Sequence, residues 1–192
     1  MDVYTMPLGP LQANCYLVSQ GKNCVAIDPG DEPSELLAFL KKRDLTLRGI
    51  LLTHGHFDHV GACKELAGAS GCPVYLHELD LHMPPYLSSP GLYVTDHYGE
   101  GDTVTLGGMT FRVLSTPGHS QGSVCLLTGE ALFTGDTLFN GGCGRTDFPG
   151  GSWSQMRQSL GRLAALDFEG PVYPGHGPAT TLSMERAMNP CF

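Results

Sequence analysis

Four side chains that can bind metal ions are concentrated in residues 50–61, which read ILLTHGHFDHVG. The apolar run at the start of this stretch predicts a buried parallel strand, because no polar residue interrupts it. Residues two apart on an extended segment point to the same side, so His54 and His56 can face one ion. Asp58 and His59 are adjacent and can turn towards a second point nearby. Packing gives no reason to collect imidazoles and a carboxylate at a strand end, so the cluster predicts a metal site.

Three later segments end in the same way, with a predicted strand, then a glycine, then a side chain of ligand type. They read LSTPGHS, LFTGDT and VYPGHG, and they carry His119, Asp136 and His176. Open α/β sheets usually carry their chemistry beyond the carboxyl ends of the strands, so we expect these side chains to meet the first cluster. The preceding glycine lets the backbone approach a site closely. The combined set of seven side chains is enough for two ions if one carboxylate bridges them.

The elements that position these residues alternate between strands and helices. Apolar runs around a polar turn predict a hairpin at 14–27, and a Gly-Gly pair predicts another at 102–115. A helix is predicted directly behind the first cluster at 60–69, and a clear amphipathic helix at 153–166. Two β-rich halves, each followed by helix, predict an α/β fold with pseudo-duplicated halves. No linker divides the chain, so we expect residues 1–192 to form a single domain.

Residues 77–99 lack any periodicity and are rich in proline, serine and tyrosine. Long segments of this kind in compact domains are usually functional or mobile. We therefore expect the part from 81 to 99 to contribute to a substrate entrance. Its three tyrosines, Tyr86, Tyr93 and Tyr98, would supply an apolar wall with polar tips, or else pack the segment onto a sheet edge or a partner.

Composition narrows the classes of partner and the compartment. A net charge of −8 argues against a nucleic-acid partner. No apolar run reaches the roughly 20 residues that a membrane span needs, and the N-terminus lacks the pattern of a signal peptide. The seven cysteines are odd in number, scattered and without a C-x-x-C pair, which suits a reducing compartment. We expect a cytoplasmic protein that binds neither nucleic acid nor membrane, with homo-oligomerisation left open.

The motifs together resemble the metallo-β-lactamase fold family. THGHFDH matches the family's H-x-H-x-D-H signature, and TPGHS, TGD and PGHG match its later ligand blocks in order. The resemblance covers essentially the whole chain. Within the family the chain is most similar to small single-domain relatives of glyoxalase II (hydroxyacylglutathione hydrolase), on the pieces MPLGPLQANCY, GCGRTDFP and ERAMNP. This resemblance implies a four-layer αβ/βα sandwich, in which two mixed sheets face each other with helices outside.

The resemblance also implies two divalent metal ions. One ion would take His54, His56 and His119, the other would take Asp58, His59 and His176, and Asp136 would bridge them. Imidazole and carboxylate ligands suit Zn first, with Fe or Mn as alternatives. Asp28, in the DPG turn, resembles the family's buried aspartate and is expected to orient a ligand loop rather than bind metal. Its alternative role is that of an ordinary turn aspartate.

The function implied is hydrolysis of a small thioester, such as S-lactoylglutathione or a related acyl thioester, by a hydroxide held between the ions. Asp58 and Asp136 would then act in catalysis, and no serine or cysteine nucleophile is needed. Cys143 lies between glycines and is expected in a turn packed against the site. Arg145 is expected either to pair with a substrate carboxylate or to form a structural ion pair with Asp147. The resemblance does not extend to the helical domain that supplies most glutathione contacts in glyoxalase II.

Other activities on the same fold compete with this interpretation. A persulfide dioxygenase with one iron also carries GCGRTDF, but its last block resembles PAHD, whereas this chain reads PGHG. A lactonase would apply the same chemistry to a ring ester. Asp136 stands where zinc β-lactamases usually carry cysteine, which argues against a true β-lactamase. A catalytically dead binding module would be expected to lose ligands, and none is missing here.

Overall fold

A computed structural model of the chain describes residues 1–192, and its first half builds one six-stranded sheet. The strands are β1 (Asp2–Leu8), β2 (Ala13–Gln20), β3 (Asn23–Ile27), β4 (Thr46–Leu51), β5 (Val74–Leu76) and β6 (Asp96–His97). They are hydrogen-bonded in that order, antiparallel from β1 to β3 and parallel from β3 to β6. The central strands β2 and β3 are nearly continuous apolar runs, as expected of strands covered on both faces.

The second half builds another six-stranded sheet. Its strands are β7 (Thr103–Leu106), β8 (Met109–Ser115), β9 (Val124–Leu127), β10 (Leu132–Gly135), β13 (Pro171–Pro174) and β14 (Thr180–Thr181), and a separate hairpin is formed by β11 (Leu138–Phe139) and β12 (Gly142–Cys143). The sheet order is β14-β13-β10-β9-β8-β7, with only β10 and β13 parallel. The Gly-Gly turn joins β7 to β8, which confirms the hairpin predicted there.

Five α-helices and one short 3₁₀ helix complete the fold. They are α1 (Pro33–Lys42), α2 (Phe57–Val60), α3 (Cys63–Ser70), α4 (Trp153–Ala164), α5 (Leu182–Met188) and the 3₁₀ helix Glu78–His82. None of these helices has the length and apolar character needed to cross a membrane. The helix predicted at 60–69 is present as α3, but it begins three residues later, at Cys63, and Val60 belongs to α2. Gly61 lies between the two helices, where a Cβ would come within 2.2 Å of Gly30 O, so the backbone is in close contact there.

The two sheets face each other across the main hydrophobic core. Val18, Val25 and Leu51 from the first sheet pack in one cluster with Phe111 and Phe133 from the second. A second cluster fills the space between the first sheet and helices α1 and α3. A third fills the space between the second sheet and helices α4 and α5. The layers are therefore helix, sheet, sheet, helix, which confirms the predicted α/β four-layer αβ/βα sandwich.

Candidate metal centre

The ligand-type side chains all follow the carboxyl ends of strands, and those strands come from both sheets. His54 and His56 follow β4, and Asp58 and His59 lie on α2 directly after them. From the second sheet, His119 follows β8, Asp136 follows β10 and His176 follows β13. Strand ends therefore bring together side chains that are more than a hundred residues apart in the chain.

Three histidines form the first group. The ring nitrogens of His54, His56 and His119 that can serve as ligands lie within 4.8 Å of one another, and all three residues are buried. The closest approach is 2.8 Å, between His56 Nδ1 and His119 Nε2. Burial and the neighbouring imidazoles lower the pKa of His54 well below its usual range, and burial lowers the pKa of His56 to about 4. Both rings are therefore neutral near pH 7, which is the form that binds metal.

The second group contains Asp58, His59 and His176, whose ligand atoms also lie within 4.8 Å of one another. Asp58 Oδ2 is 3.6 Å from His59 Nε2 and 3.3 Å from His176 Nε2. Burial opposes the charge on His59, but the carboxylates of Asp136 and Asp28 outweigh it and raise its pKa to about 9. Burial likewise opposes the charge on Asp58, but the contacts with His176 and His59 lower its pKa to about 2. This group is the more strongly charged of the two.

The Asp136 carboxylate lies between the two groups. Its Oδ1 is 3.4 Å from His59 Nε2, and its Oδ2 is 3.4 Å from His119 Nε2 and 3.7 Å from His176 Nε2. A single carboxylate thus reaches both groups. This is the placement that a bridging ligand requires, although bridging itself stays a prediction.

Unpaired buried atoms test whether these residues fit a metal centre. Four side-chain atoms are buried without any hydrogen-bond partner: His54 Nε2, His56 Nε2, His59 Nε2 and Asp136 Oδ1. An unsatisfied buried polar atom costs about 1–3 kcal/mol, so several in one place call for an explanation. Imidazole nitrogen and carboxylate oxygen are ordinary ligands of Zn, Fe and Mn. The residues therefore fit divalent metal ions, and the choice between Zn and Fe stays open.

Asp28 contacts the centre from behind. Its Oδ1 accepts a hydrogen bond from Thr53 N at 2.7 Å, and its Oδ2 accepts one from Thr53 Oγ1 at 2.6 Å. Asp28 Oδ2 also lies 3.1 Å from His59 Nδ1. Asp28 is close enough to His54 and His59 to form a third candidate ligand group. We favour the orienting role for Asp28, because both of its carboxylate oxygens already accept hydrogen bonds from Thr53. Asp28 also contacts His59 Nδ1, which leaves the unpaired Nε2 of the same ring facing the centre.

Asp80 is a residue that sequence reasoning missed. It is 1% exposed, and its carboxylate accepts hydrogen bonds from Gly55 N (3.0 Å), Gly122 N (2.7 Å) and Ser120 Oγ (2.7 Å). Gly55 lies between the first two histidines, and Ser120 follows His119. One carboxylate therefore ties together two ligand loops from different sheets. No sequence signal marks it, since it is a lone aspartate in a segment without periodicity.

Asn14 plays a similar part at the last ligand loop. Its side-chain amide donates to Pro174 O at 3.0 Å and to Gly177 O at 2.8 Å, which are the carbonyls on either side of the turn that carries His176. The residue lies within the quoted piece QANCY, but nothing in that local pattern shows that it reaches a turn far along the chain. Its partners are visible only in the folded structure.

Arg145 reaches the centre through its backbone. Its carbonyl oxygen lies 2.8 Å from His119 Nδ1, where it can accept a hydrogen bond that orients the ring. Its guanidinium donates to both carboxylate oxygens of Asp147, at 2.7 and 2.8 Å, and lies 3.8 Å from the centre of the Phe148 ring. The ion pair offered as one of the two alternatives is therefore present. A contact between Arg145 and substrate stays a prediction.

A cavity of about 210 Å³ adjoins the centre at Asp58. Leu8, Leu11 and Phe57 supply its apolar wall, and the β1–β2 turn and the Gly30-Asp31 segment complete it. Leu11 and Phe57 are 54% and 44% exposed, so the wall is open to solvent. Apolar side chains left exposed beside a polar centre are typical of a substrate site.

Of the two alternatives for the tyrosines of residues 81–99, Tyr98 follows the second, in which the side chain packs the segment onto the sheet. It is buried, its hydroxyl donates to Leu52 O at 2.6 Å and its ring stacks on Tyr75. Tyr93 lines a different hollow, beside α3 and β5. Tyr86 is 71% exposed and precedes Leu87, whose carbonyl accepts a hydrogen bond from Phe57 N. A role for Tyr86 in a substrate wall stays a prediction.

Comparisons with known proteins agree with this geometry. Hydroxyacylglutathione hydrolase GloC of Haemophilus influenzae is 35% identical to this chain, and the alignment covers 99% of this chain and 97% of that protein. Among solved structures, TTHA1623 in a di-iron-bound form matches with a TM-score of 0.89 and 43% identity, covering 99% of this chain and 100% of that one. BLEG-1 B3 metallo-beta-lactamase matches with a TM-score of 0.90 and 35% identity, covering 98% of each chain.

A further solved structure and a family model also match the chain. ETHE1 from Myxococcus xanthus matches with a TM-score of 0.85 and 32% identity, covering 99% of this chain and 84% of that one. The family model that matches the chain is that of the metallo-beta-lactamase superfamily, and it spans residues 8–176. With the fold, the converging ligands and these matches in agreement, the chain belongs to the metallo-beta-lactamase superfamily.

Proposed function

We propose that this protein is a metal-dependent hydrolase of small thioesters, of the glyoxalase II type. The observation that carries the proposal is the pair of ligand groups joined by Asp136, with four buried ligand atoms left unpaired. Two groups favour a dinuclear centre, which is the arrangement that hydrolytic members of such folds use to activate water. The 35% identity to a hydroxyacylglutathione hydrolase over nearly the full length of both chains supports the substrate class.

A bound pair of divalent ions would supply an activated water and would polarise the thioester carbonyl. The chain's own residues supply binding and orientation. Leu8, Leu11 and Phe57 form an apolar wall that can hold an acyl or thiol group. Asp58 is one of the residues that line this cavity, so a substrate held there lies next to the second ligand group. The cavity volume of about 210 Å³ favours a small group.

Cys143 is a poor candidate for a protein nucleophile. It is one of the two cysteines that are not fully buried, but burial raises its pKa to about 12, and its sulfur contacts Cys191. A thiol with such a pKa is almost entirely protonated at neutral pH and is a poor nucleophile. Direct attack by water is therefore the mechanism that these residues favour.

The test is a substrate panel on protein loaded separately with Zn, Fe and Mn. S-lactoylglutathione and several short acyl thioesters should be hydrolysed, with release of the free thiol followed colorimetrically. Asp136→Ala should abolish this activity, while Asp167→Ala, which removes an exposed carboxylate, should leave it unchanged. A loaded protein that turns over lactones or β-lactams but no thioester would contradict the proposed substrate class.

A persulfide dioxygenase is the second candidate, because the chain is 32% identical to ETHE1 from Myxococcus xanthus. Oxygen uptake by iron-loaded protein with a glutathione persulfide distinguishes the two. The hydrolase proposal expects no uptake above that of Asp136→Ala. Uptake that needs only one iron per chain and survives His176→Ala would favour the dioxygenase, because that activity would not need the second ligand group.

A further inference from the structure

Two cysteines outside the metal centre are in direct contact. Cys143, at the end of β12, and Cys191, next to the last residue of the chain, have their sulfur atoms 3.2 Å apart. Both are only partly buried, whereas the other five cysteines are buried. These two thiols are therefore the pair that a small reagent can reach.

The contact is held in place by a hydrogen-bonded network that does not involve sulfur. The Asn189 side-chain amide donates to Gly142 O at 3.0 Å and to Glu185 Oε2 at 2.7 Å. The same carboxylate oxygen of Glu185 accepts a hydrogen bond from Gly141 N at 2.9 Å. The C-terminal segment is thus fastened to the β11–β12 hairpin next to the sulfur pair. Fixing both thiols in this way gives them a high effective concentration for each other.

We propose that Cys143 and Cys191 are a thiol–disulfide exchange site, at which a low-molecular-weight disulfide oxidises the pair to an intramolecular disulfide. A disulfide needs the sulfurs about 2.05 Å apart, so from their present 3.2 Å they must close by roughly 1.2 Å.

The exchange proceeds in two balanced steps. The Cys191 thiolate attacks one sulfur of the reagent, which breaks the reagent's S–S bond, forms a mixed disulfide and releases one thiolate. The Cys143 sulfur then loses its proton to solvent and attacks the Cys191 sulfur, which releases the second thiolate. Two protein thiols are oxidised, the reagent disulfide is reduced to two thiols, and no other oxidant is required.

The order of the steps follows from the surroundings of Cys143. Its pKa is raised by burial first and then by the hydrogen bond and the charge of Cys191. Conversion of Cys191 into a mixed disulfide removes the neighbour's contribution. Burial still keeps Cys143 a poor nucleophile towards a reagent in solution, so it is suited only to the second step, in which the Cys191 sulfur is already held beside it.

The bond would fasten a segment that reaches the metal centre. Gly144, the next residue, lies so close to Asp136 that a Cβ would come within 1.9 Å of Asp136 O. Arg145 follows it and contacts His119 through its carbonyl oxygen. Oxidation would thus covalently link the C-terminal segment to the hairpin that carries these contacts. It would stabilise the folded chain whether or not the proposed hydrolase activity is correct.

The test uses full-length protein treated with glutathione disulfide after full reduction. The thiol count of the denatured protein should fall from seven to five, that is, seven minus the two linked cysteines. Mass spectrometry of a non-reduced digest should find the peptides of Cys143 and Cys191 joined and lighter by two hydrogens. The melting temperature should rise by about 5 °C on oxidation, because closing the loop restricts the unfolded chain.

Cys143→Ser and Cys191→Ser should each lose the cross-link and the oxidation-dependent rise in melting temperature. Cys72→Ser, which removes a buried cysteine away from the pair, should keep both. A thiol count that stays at seven, a cross-link between other cysteines, or a glutathione adduct on Cys191 as the final product would each overturn the proposal.

Discussion

At the scale of single residues, Asp136 is the side chain on which the two ligand groups depend. Its two oxygens lie 3.4–3.7 Å from histidines of both groups, and one of them has no other partner. Asp136→Ala should therefore lower metal content at both positions and reduce turnover at least about 100-fold, which corresponds to about 2.7 kcal/mol of barrier. Metal analysis after gel filtration and steady-state kinetics measure the two effects. Asp167→Ala is the matched control, since its carboxylate is exposed.

A smaller effect on the metals would change the assignment. If Asp136→Ala kept two ions per chain and lost activity only, the carboxylate would serve the substrate or a proton rather than both ions. If it lost one ion, Asp136 would belong to one group and not to both.

Asp80 has a different role, because it touches no ligand side chain and instead holds the backbone of two ligand loops. Asp80→Asn would place an amide N–H₂ where backbone N–H groups of Gly55 and Gly122 now donate to a carboxylate. Outer contacts of this kind typically change metal affinity about 10–100-fold. The affinity of the three-histidine group should fall within that range, as measured by competition with a chromophoric chelator. A variant that melts earlier but keeps its metal affinity would make Asp80 purely structural.

The sequence predicted the seven ligand-type residues well and their supporting contacts poorly, for a physical reason. His54, His56, Asp58 and His59 are close in sequence, so their spacing alone shows that they can converge. The supporting contacts join residues far apart, as between Asp80 and Gly122, and no local pattern records them. The structure brings all seven residues together, while their role as ligands remains a prediction.

At the scale of elements, the two glycines that flank Cys143 provide a matched pair. A Cβ on Gly144 would lie 1.9 Å from Asp136 O and 3.2 Å from His119 Nδ1, whereas a Cβ on Gly142 would meet nothing within 4 Å. Gly144→Ala should reduce the free energy of unfolding by about 1–3 kcal/mol through overpacking, and it should also lower activity. Gly142→Ala should change stability by no more than about 0.5 kcal/mol. Equal denaturation midpoints for the two variants would show that the hairpin has room to move.

The same two glycines show how much of an element's structure the local sequence predicts. Glycines around Cys143 predicted a turn packed closely against the site. The turn is wrong, because Cys143 lies on β12, but Gly144 does pack closely against Asp136, while Gly142 faces open space. Likewise, the helix formers after His59 predicted a helix but not its start at Cys63. The close contact of Gly61 just before that start is with the carbonyl of Gly30, which belongs to another part of the fold. Local propensity indicates which element forms, but tertiary contact decides where it ends.

An ion pair between elements gives a prediction about pH. Glu100, between β6 and β7, accepts hydrogen bonds from Arg162 of α4, and this contact lowers the pKa of Glu100 below its usual 4.5. Because the pKa of this carboxyl group is lower in the folded chain than in the unfolded chain, the ionised group stabilises the fold at pH values above its unfolded-state pKa. That contribution is lost as pH falls through its folded-state pKa. Both side chains are more than a third exposed, so Glu100→Gln should destabilise by no more than about 0.5 kcal/mol at pH 7. The difference in urea midpoint between the two proteins should shrink as pH falls below about 4.5, the usual pKa of an unfolded Glu, and vanish once pH is below the lowered pKa of Glu100. A difference that does not shrink on acidification would mean that charge is not its cause.

At the scale of the whole molecule, the ligand set joins the two sheets. The first four ligand-type residues follow one strand of the first sheet, and the other three, His119, Asp136 and His176, follow strands of the second. Elsewhere the sheets meet through side-chain packing in the core between them and through hydrogen bonds, such as those of Asn14 to the turn that carries His176. Metal ions bound by residues from both sheets would therefore link the two sheets of the sandwich. Binding to such a site stabilises the fold as well as serving catalysis.

Metal removal should for this reason lower the stability of the whole chain and not only its activity. Ions at a hundred times their dissociation constant contribute about 2.7 kcal/mol, so chelation should lower the melting temperature by roughly 5–10 °C. Adding back Zn, Fe or Mn should restore it, in the order of their affinities. Asp136→Ala is the informative control, because it lacks the carboxylate between the two ligand groups. Chelator should lower its melting temperature by only a small fraction of the shift expected for the unchanged chain. If chelator lowered both melting temperatures equally, the metals would be bound elsewhere. If it lowered neither, packing and direct hydrogen bonds would be enough to hold the two sheets together.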